Sequence, residues 1–118
     1  MLTLVIGASE NPSRYSNLCI QRLKEHGHEV FALGLKNGEA HGVKIQKEQK
    51  AFKDIDTVTL YLNPARQKEL YSHILSLKPR RIIFNPGTEN PKFEKMATEK
   101  GIEVAEACTL VMLSIGSY

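Results

Sequence analysis

Short apolar runs alternate with amphipathic stretches along this chain. Five of the runs have the length and the β-branched or aromatic content that are typical of buried strands. They cover residues 2–6, 30–35, 57–62, 81–84 and 102–105. A further segment, residues 42–46, alternates Val43 and Ile45 with polar neighbours, which indicates a short edge strand. The pattern therefore predicts five to six strands.

Between these runs, apolar residues recur at the spacing of a helix. A first helix is predicted over residues 14–26, a second over residues 64–77 after Asn63 as N-cap, and a third over residues 91–100. The inward stripe of the first helix is predicted to hold Tyr15, Leu18, Cys19 and Leu23. Residues 110–115 are apolar all round, which favours a last turn of helix that packs on the sheet or on a partner chain.

This order of elements indicates the fold class. Strands that alternate with helices of about 10–15 residues form βαβ units, and such units build a mostly parallel sheet with helices on both faces. We therefore predict a single Rossmann-like α/β domain over residues 1–118. In such folds, ligands bind beyond the carboxyl ends of the strands, where the strand order reverses. The loops that follow the strands are accordingly the place to look for a site.

The loop after the first strand has the composition of an anion site. Gly7 permits a sharp turn, and Ala8 and Ser9 are small enough for a ligand to approach the backbone. Arg14 can bind phosphate through two N–H groups, and the helix behind it presents unpaired backbone N–H groups. The predicted contacts in this region also include Asn11, Pro12 and Ser16. The alternative is an ordinary βα turn with an N-capped helix.

The loops after the first and second strands also indicate which nucleotide is bound. The three-glycine pattern of dinucleotide-binding folds is absent, because only Gly7 is glycine here. Lys36 lies just beyond the second strand, where NAD-binding proteins carry an acidic residue for the ribose. A cation at that position suits an additional ribose phosphate, as in coenzyme A or NADP. We expect coenzyme A or an acyl-CoA, with NADP or an ADP-type nucleotide as weaker alternatives.

Residues 5–16, Val-Ile-Gly-Ala-Ser-Glu-Asn-Pro-Ser-Arg-Tyr-Ser, resemble the opening of the small stand-alone CoA-binding domain proteins. That family is related to the nucleotide-binding domain of the succinyl-CoA synthetase α subunit, and the likeness continues through residues 29–34 and 103–108. The resemblance implies phosphate contacts at residues 7–9 and 14–16. It implies adenosine-side contacts at Gly34, Leu35 and Lys36, with the rest of the cleft lined by Asn63, Pro64, Asn85, Pro86 and Gly87.

Few residues suggest catalysis. Cys108 follows the last strand and is the one weak candidate for a nucleophile, whereas Cys19 lies on the inward stripe of the first helix. No nucleophile, base and orienting group, and no metal cluster, can be identified from the sequence. We therefore favour a non-catalytic binding or regulatory module. One alternative is a small transferase that acts on an acyl-CoA or nucleotide with Cys108 as nucleophile, and another is an association-only protein with a vestigial cleft.

Composition and charge exclude several other classes. The formal net charge of +3 suits a small anionic ligand but falls short of the basic stripe that nucleic-acid binding requires. Two distant cysteines do not form a disulfide framework, and no stretch approaches the roughly 20 apolar residues of a membrane span. The N-terminus lacks a signal-peptide pattern, so we expect a cytoplasmic protein. A homodimer through the apolar segment 110–115 is a further expectation.

Overall fold

The computed structural model describes residues 2–118 and contains a seven-stranded sheet. The strands are β1 (Leu2–Ala8), β2 (Glu29–Gly34), β3 (Gly38–Ala40), β4 (Val43–Gln46), β5 (Thr57–Leu60), β6 (Arg81–Phe84) and β7 (Glu103–Glu106). Their order in the sheet is β3-β4-β2-β1-β5-β6-β7, and every pair is parallel except β3 with β4. The mostly parallel Rossmann-like sheet is therefore confirmed, with one strand more than the upper end of the predicted range.

The additional strand comes from the segment between β2 and β5. β3 and β4 form an antiparallel hairpin whose turn contains His41 and Gly42, both with positive φ. β3 has only three residues, Gly-Glu-Ala, which carry no alternating pattern by which a sequence would reveal a strand. The strand predicted over residues 42–46 is β4, but it is not an edge strand, because β3 pairs with its outer side and forms the edge of the sheet.

Five helices cover the two faces of the sheet. They are α1 (Tyr15–Glu25), α2 (Pro64–Gln67), α3 (Tyr71–Ser76), α4 (Pro91–Glu99) and α5 (Thr109–Ile115). Successive residues of β1 point to opposite faces, so that Leu4 and Ile6 pack with the α2–α4 side while Val5 packs with the α1 side. Burial on both faces explains why the strands appear as continuous apolar runs rather than as alternating ones.

Two helices differ from their predictions. Tyr15 was placed on the inward stripe of the first helix, but it begins α1 and is 74% exposed, while Ser16 and Asn17 are buried. The second helix is not continuous. Gln67 is fully buried, and its amide donates to the carbonyls of Leu62 and Thr88, after which the chain makes a 3₁₀ turn, Lys68–Leu70, before α3 begins. The spacing of apolar residues does not reveal hydrogen bonds of this kind, which a buried side chain makes to distant carbonyls.

The strand order places the ligand-binding edge. From β1 the chain passes to β2 and the hairpin on one side, and then crosses back to β5, β6 and β7 on the other. The order therefore reverses between β1 and β5. The carboxyl ends of these two strands, together with that of β2, form the crevice in which ligands of doubly wound sheets bind.

Candidate functional site

A cleft of about 790 Å³ lies at this point of reversal. Its walls come from the loop after β1, the start of α1, the residues after β2 and β5, and Pro86 after β6. The lining residues are Gly7, Ala8, Ser9, Glu10, Asn11, Arg14, Tyr15, Ser16, Leu35, Lys36, Ile45, Tyr61, Leu62, Asn63, Arg66 and Pro86. Its volume falls within the range of small-molecule and cofactor sites.

Glycine is required at two positions in the floor of the cleft. Gly7 has a φ of +88°, and a Cβ there would lie 2.8 Å from the backbone carbonyl carbon and oxygen of Tyr61. A Cβ on Gly34 would lie 2.5 Å from the carbonyl oxygen of Ala8. The register between β1 and β2 also shifts after Ile6. The backbones therefore approach one another more closely here than any side chain would allow.

Hydrogen bonds within the first loop hold its shape. Asn11 Oδ1 accepts from the backbone N–H and the hydroxyl of Ser13, at 3.0 and 2.8 Å, and Ser9 Oγ accepts from the Asn11 N–H at 3.1 Å. These side chains are engaged with the loop itself, in the manner of an Asx turn. We conclude that Asn11 shapes the loop, and that the backbone groups and Arg14 are the parts that remain available to an anion.

The start of α1 is open to an anion. Arg14 occupies the N-cap position, and no side chain caps the helix. In the first turn, the Asn17 N–H donates to the Arg14 carbonyl at 3.1 Å, whereas the N–H groups of Tyr15 and Ser16 have no backbone partner within residues 2–118. An uncapped helix offers such groups, together with the positive end of its dipole, to a negatively charged group. α1 begins at the cleft wall, where Arg14, Tyr15 and Ser16 all lie.

Three cationic side chains surround the cleft without partners. Arg14, Lys36 and Arg66 all line it, and within residues 2–118 their side chains make no hydrogen bond or ion pair. Glu10, the acidic residue on the wall, is engaged otherwise, because its carboxylate accepts the backbone N–H of Glu39 at 3.1 Å. Three cationic side chains against one carboxylate give the cleft lining an excess of positive charge, which favours a ligand with several negative charges.

The β3–β4 hairpin is tied to the first loop by a chain of hydrogen bonds. His41 Nε2 lies 2.7 Å from Asn17 Oδ1, and Asn17 Nδ2 donates to the carbonyl of Ser9 at 3.0 Å. On the other side of the turn, Lys24 Nζ donates to the His41 carbonyl at 2.7 Å. Asn17 is almost wholly buried, so that these hydrogen bonds hold the hairpin, α1 and the loop after β1 in one arrangement.

A second, smaller pocket of about 290 Å³ adjoins the cleft and shares Gly7, Leu35, Leu62 and Arg66 with it. Its floor is apolar and is made by Ile6, Leu33, Leu62 and Leu70. Its polar rim is made by Lys47, Gln49, Arg66 and Glu69, which come from the residues after β4 and from α2 and the 3₁₀ turn. Of the predicted residues, Gly7, Gly34 and Leu35 line this pocket, and Gly34 lines it without also lining the larger cleft.

The structure brings most of the predicted site residues together. Those that line the larger cleft are Gly7, Ala8, Ser9, Asn11, Arg14, Ser16, Leu35, Lys36, Asn63 and Pro86. Pro12, Pro64, Asn85 and Gly87 line neither pocket. Pro64 is the first residue of α2, and Asn63 caps that helix by accepting the Arg66 N–H at 3.0 Å.

Asn85 is buried behind the cleft surface, where its side chain joins strands and a helix by hydrogen bonds. It is 1% exposed, and its Nδ2 donates to Thr59 Oγ1 at 2.7 Å and to the Leu60 carbonyl at 2.8 Å. Its Oδ1 accepts the Thr109 N–H at 2.9 Å. The side chain therefore joins β5 and β6 to the start of α5. Its three partners come from distant parts of the chain, so the sequence could not distinguish this role from ligand binding.

Several residues of the two pockets were not among the predicted contacts. Arg66 was within reach of sequence reasoning, because it follows β5 in the first turn of α2 and so lies at the carboxyl edge. Glu69 belongs to the unpredicted 3₁₀ turn, and Lys47 and Gln49 follow a strand that the sequence indicates only weakly. No local signal marks these three residues as neighbours of the cleft. The missed residues are Ile6, Glu10, Leu33, Ile45, Lys47, Gln49, Tyr61, Leu62, Arg66, Glu69 and Leu70.

Three reactive side chains, Cys19, Tyr61 and Cys108, differ in their burial and in their position relative to the cleft. Burial raises the pKa of the Cys19 thiol to about 12, and it raises the pKa of the Tyr61 hydroxyl well above its ordinary value, so that both stay protonated at neutral pH. Cys108 is half-buried at the N-cap of α5 and lines neither pocket. Within residues 2–118, no three His, Cys, Asp or Glu side chains are grouped as metal ligands.

The segment expected to form an interface is partly exposed. α5 buries Thr109 and Leu113 and packs beside α1, while Val111 and Ile115 are 53% and 70% exposed. The segment is therefore a helix, as its composition suggested, but only one of its sides is buried against the rest of the chain. No helix among residues 2–118 has the length and apolar character needed to cross a membrane.

Comparison with known proteins gives a family and several structural relatives. A family model described as a CoA binding domain matches residues 2–114. The fold of an uncharacterized protein of known crystal structure, 50% identical, is similar over 99% of this chain and 97% of that chain, with a TM-score of 0.97. A hypothetical protein from Pyrococcus horikoshii OT3 is 26% identical over 96% of this chain and 81% of its own, with a TM-score of 0.86.

More distant matches share the fold alone. The dinucleotide-forming acetyl-coenzyme A synthetase 1 of Ca. Korarchaeum cryptofilum, solved with phosphate and ADP, is 16% identical. The likeness has a TM-score of 0.72 and covers 90% of this chain but 25% of the synthetase. No protein with a curated description matches this sequence.

Proposed function

Because the chain belongs to the CoA-binding domain family, we propose that the cleft between β1 and β5 binds coenzyme A or an acyl-CoA, and that the protein acts as a non-catalytic binding or regulatory module. The observation that carries this proposal is the set of three unpartnered cations, Arg14, Lys36 and Arg66, around the uncapped start of α1. Coenzyme A carries a diphosphate and a ribose phosphate, and thus has the charges that these groups would bind.

The diphosphate fits the first loop. Gly7 and Ala8 leave the backbone open to close approach, α1 offers the N–H groups of Tyr15 and Ser16, and Arg14 can donate two parallel hydrogen bonds. Lys36, beyond β2, is placed for the additional ribose phosphate. The remainder of the cleft, past Tyr61 and Pro86, is left for the pantetheine arm.

Two further observations favour binding over catalysis. Cys108, the candidate nucleophile of a transferase, lines neither pocket. The pKa values of Cys19 and Tyr61 are raised by burial, so neither group supplies a nucleophile or a base at neutral pH. A cleft that keeps three unpartnered cations also differs from the vestigial cleft of an association-only protein.

Calorimetric titration of the purified protein with coenzyme A, acetyl-CoA, dephospho-CoA, NADP, NAD and ADP tests the proposal. We expect micromolar binding of coenzyme A, weaker binding of dephospho-CoA, and much weaker binding of NAD. Arg14→Ala should weaken coenzyme A binding by at least tenfold, since a hydrogen bond to a charged group contributes about 1.5–3 kcal/mol.

Arg22→Ala is the matched control, because Arg22 lies on the same helix but pairs with Glu25 at 2.8 Å instead of facing the cleft. It should leave coenzyme A binding unchanged. Absence of binding by every nucleotide would refute the proposal and leave an association-only protein. If the protein turns over acetyl-CoA and Cys108→Ser abolishes that activity, the protein is a transferase and not a non-catalytic binding module.

A further inference from the structure

Residues 109–118 are held to the rest of the chain at their two ends. α5 has seven residues and buries two of them, and an isolated helix of that length is not stable in water. Its start is fixed by Thr109, whose N–H donates to Asn85 Oδ1 at 2.9 Å. At Gly116, which has a φ of +75°, the helix ends and the chain turns toward Tyr118. The attachment of the helix at its far end therefore depends on what Tyr118 contacts.

The side chain of Tyr118 contacts three separate parts of the chain. Its hydroxyl hydrogen-bonds to the Thr3 hydroxyl of β1, and its ring meets the edge of the His28 ring, with the ring centres 4.9 Å apart. On β6, the guanidinium carbon of Arg81 lies 4.7 Å from the centre of the Tyr118 ring, which is the geometry of a cation–π contact. Tyr118 therefore ties residues 109–118 to the amino edge of the sheet.

The burial of Arg81 makes this closed arrangement costly. Only 6% of the residue is exposed, and within residues 2–118 its guanidinium forms no ion pair. Its Nε donates to Thr57 Oγ1 at 3.2 Å, but its Nη2 is buried without a hydrogen-bond partner. A buried charge without a carboxylate partner is unfavourable, and the ring of Tyr118 compensates it only in part. Movement of the ring away from Arg81 would let water reach Nη2, which lowers the free-energy cost of opening.

We propose that residues 109–118 form a strap that opens as one unit, with Tyr118 over Arg81 as its latch. Segments that open separately from the rest of a protein bury few apolar side chains, and α5 leaves both Val111 and Ile115 mostly exposed. When the latch is released, the short helix keeps only its attachment at Thr109. The strap then leaves the sheet while the strands stay paired, because none of the strand pairings includes residues 109–118.

The strap is linked to the cleft through Asn85. The Thr109 N–H holds Asn85 Oδ1, and the Thr109 hydroxyl lies 2.8 Å from the Thr59 hydroxyl, to which Asn85 Nδ2 donates. Pro86, the next residue along the chain, lines the cleft. Closure of the strap therefore supports this part of the cleft wall, and a ligand that contacts the wall should favour the closed form. This link rests on the proposed function, whereas the latch does not.

The rate at which a thiol reagent modifies Cys19 measures the opening. Cys19 is fully buried in the same apolar cluster as Leu113, against which Tyr118 packs, so we expect the reagent to reach it when the strap opens. Cys108→Ser serves as the background, so that Cys19 is the one thiol left. Well below the unfolding midpoint, the labelling rate should be almost independent of urea, because the opening of a small unit exposes little surface.

Substitutions in this background assign the latch. Tyr118→Ala should speed the labelling of Cys19 by about tenfold or more, because it removes both the cation–π contact and a hydrogen bond. Tyr118→Phe keeps the ring over Arg81 and loses only the hydroxyl, so it should speed labelling by about threefold. Ile115→Ala is the matched control, since it removes an exposed side chain from the same strap and should change the rate by less than about twofold.

The outcomes separate the latch from its link to the cleft. A labelling rate that rises with urea as steeply as global unfolding does would show that the strap does not open separately. A rate in Tyr118→Ala equal to that in Ile115→Ala would show that Tyr118 is not the latch. Saturating coenzyme A should slow labelling. If calorimetry shows that coenzyme A binds but the rate is unchanged, the link is wrong while the latch stands. If no nucleotide binds, the link fails with the proposed function, and the urea and Tyr118 results still decide the latch.

Discussion

The two ends of the parallel strands use their charged residues differently. At the amino ends, Asp56 Oδ1 accepts from Arg80 Nε at 2.9 Å and Asp56 Oδ2 from Arg80 Nη2 at 3.0 Å. The buried Arg81 donates to Thr57 Oγ1 and lies 4.7 Å from the ring centre of Tyr118. At the carboxyl ends, the cations around the two pockets have no such partners within residues 2–118.

This difference separates residues that stabilise the fold from residues that are available to a ligand. At the amino ends, Asp56 and Arg80 neutralise each other, so removing one of this pair should change the stability and leave ligand binding intact. The charges at the carboxyl ends stabilise little, so removing one should do the reverse. The expected effects below run from the largest to the smallest.

Asn85→Ala should show an exception to this difference between the two ends. Asn85 lies at the carboxyl end of β6, and yet its side chain stabilises the fold. The substitution leaves the Thr109 N–H and the Leu60 carbonyl without their partner and should lower the free energy of unfolding by about 3 kcal/mol. Urea denaturation measures the loss. Asn63→Ala, which removes an exposed helix cap, should cost only about 1 kcal/mol, and equal losses would contradict the structural role of Asn85.

His41→Ala should show that the β3–β4 hairpin positions the loop after β1 for the proposed binding of coenzyme A. Without the bond from His41 to Asn17, the Ser9 carbonyl is held less firmly, and we expect coenzyme A binding to weaken by about threefold to tenfold, or about 1 kcal/mol. His41→Gln places an amide nitrogen where Nε2 lies and should recover most of the affinity in the same titration. A variant that binds normally despite the alanine would show that the loop needs no such support.

Asp56→Asn should have the smallest effect, and only on stability. Arg80 lowers the pKa of the Asp56 carboxyl below its ordinary value of 3.8, so the ionised form stabilises the native state at neutral pH. That contribution is lost as the pH falls below 3.8 through the folded-state pKa. Since Arg80 is half exposed, we expect less than about 1 kcal/mol.

Urea denaturation from pH 7 down to acid values measures this contribution. The wild type and Asp56→Asn should differ at pH 7 and converge in acid, while their affinities for coenzyme A stay equal. A constant difference across the pH range would show that the ion pair is not its source.

Part of the site could be predicted because it lies in short, local patterns. The loop from Gly7 to Ser16 and the position of Lys36 each follow a strand directly, and the rule that ligands bind at the carboxyl edge places them together. The exposed Tyr15 shows the limit of this reasoning. Helical spacing marks a stripe, but whether its first member meets the sheet or the cleft depends on where the helix begins.

By itself, the sequence determined the α/β class and the parallel strands, and it indicated the loop after β1 as part of the candidate site, because burial on both faces and the chemistry of turns act over a few residues. Only the tertiary structure decided the rim of the smaller pocket and the place of Asn85. Gln49 and Glu69 are twenty residues apart in the sequence, one before β5 and one after it. The crossover connections bring them to the same pocket. Such proximity depends on strand order and helix packing, which leave no periodic trace in the chain.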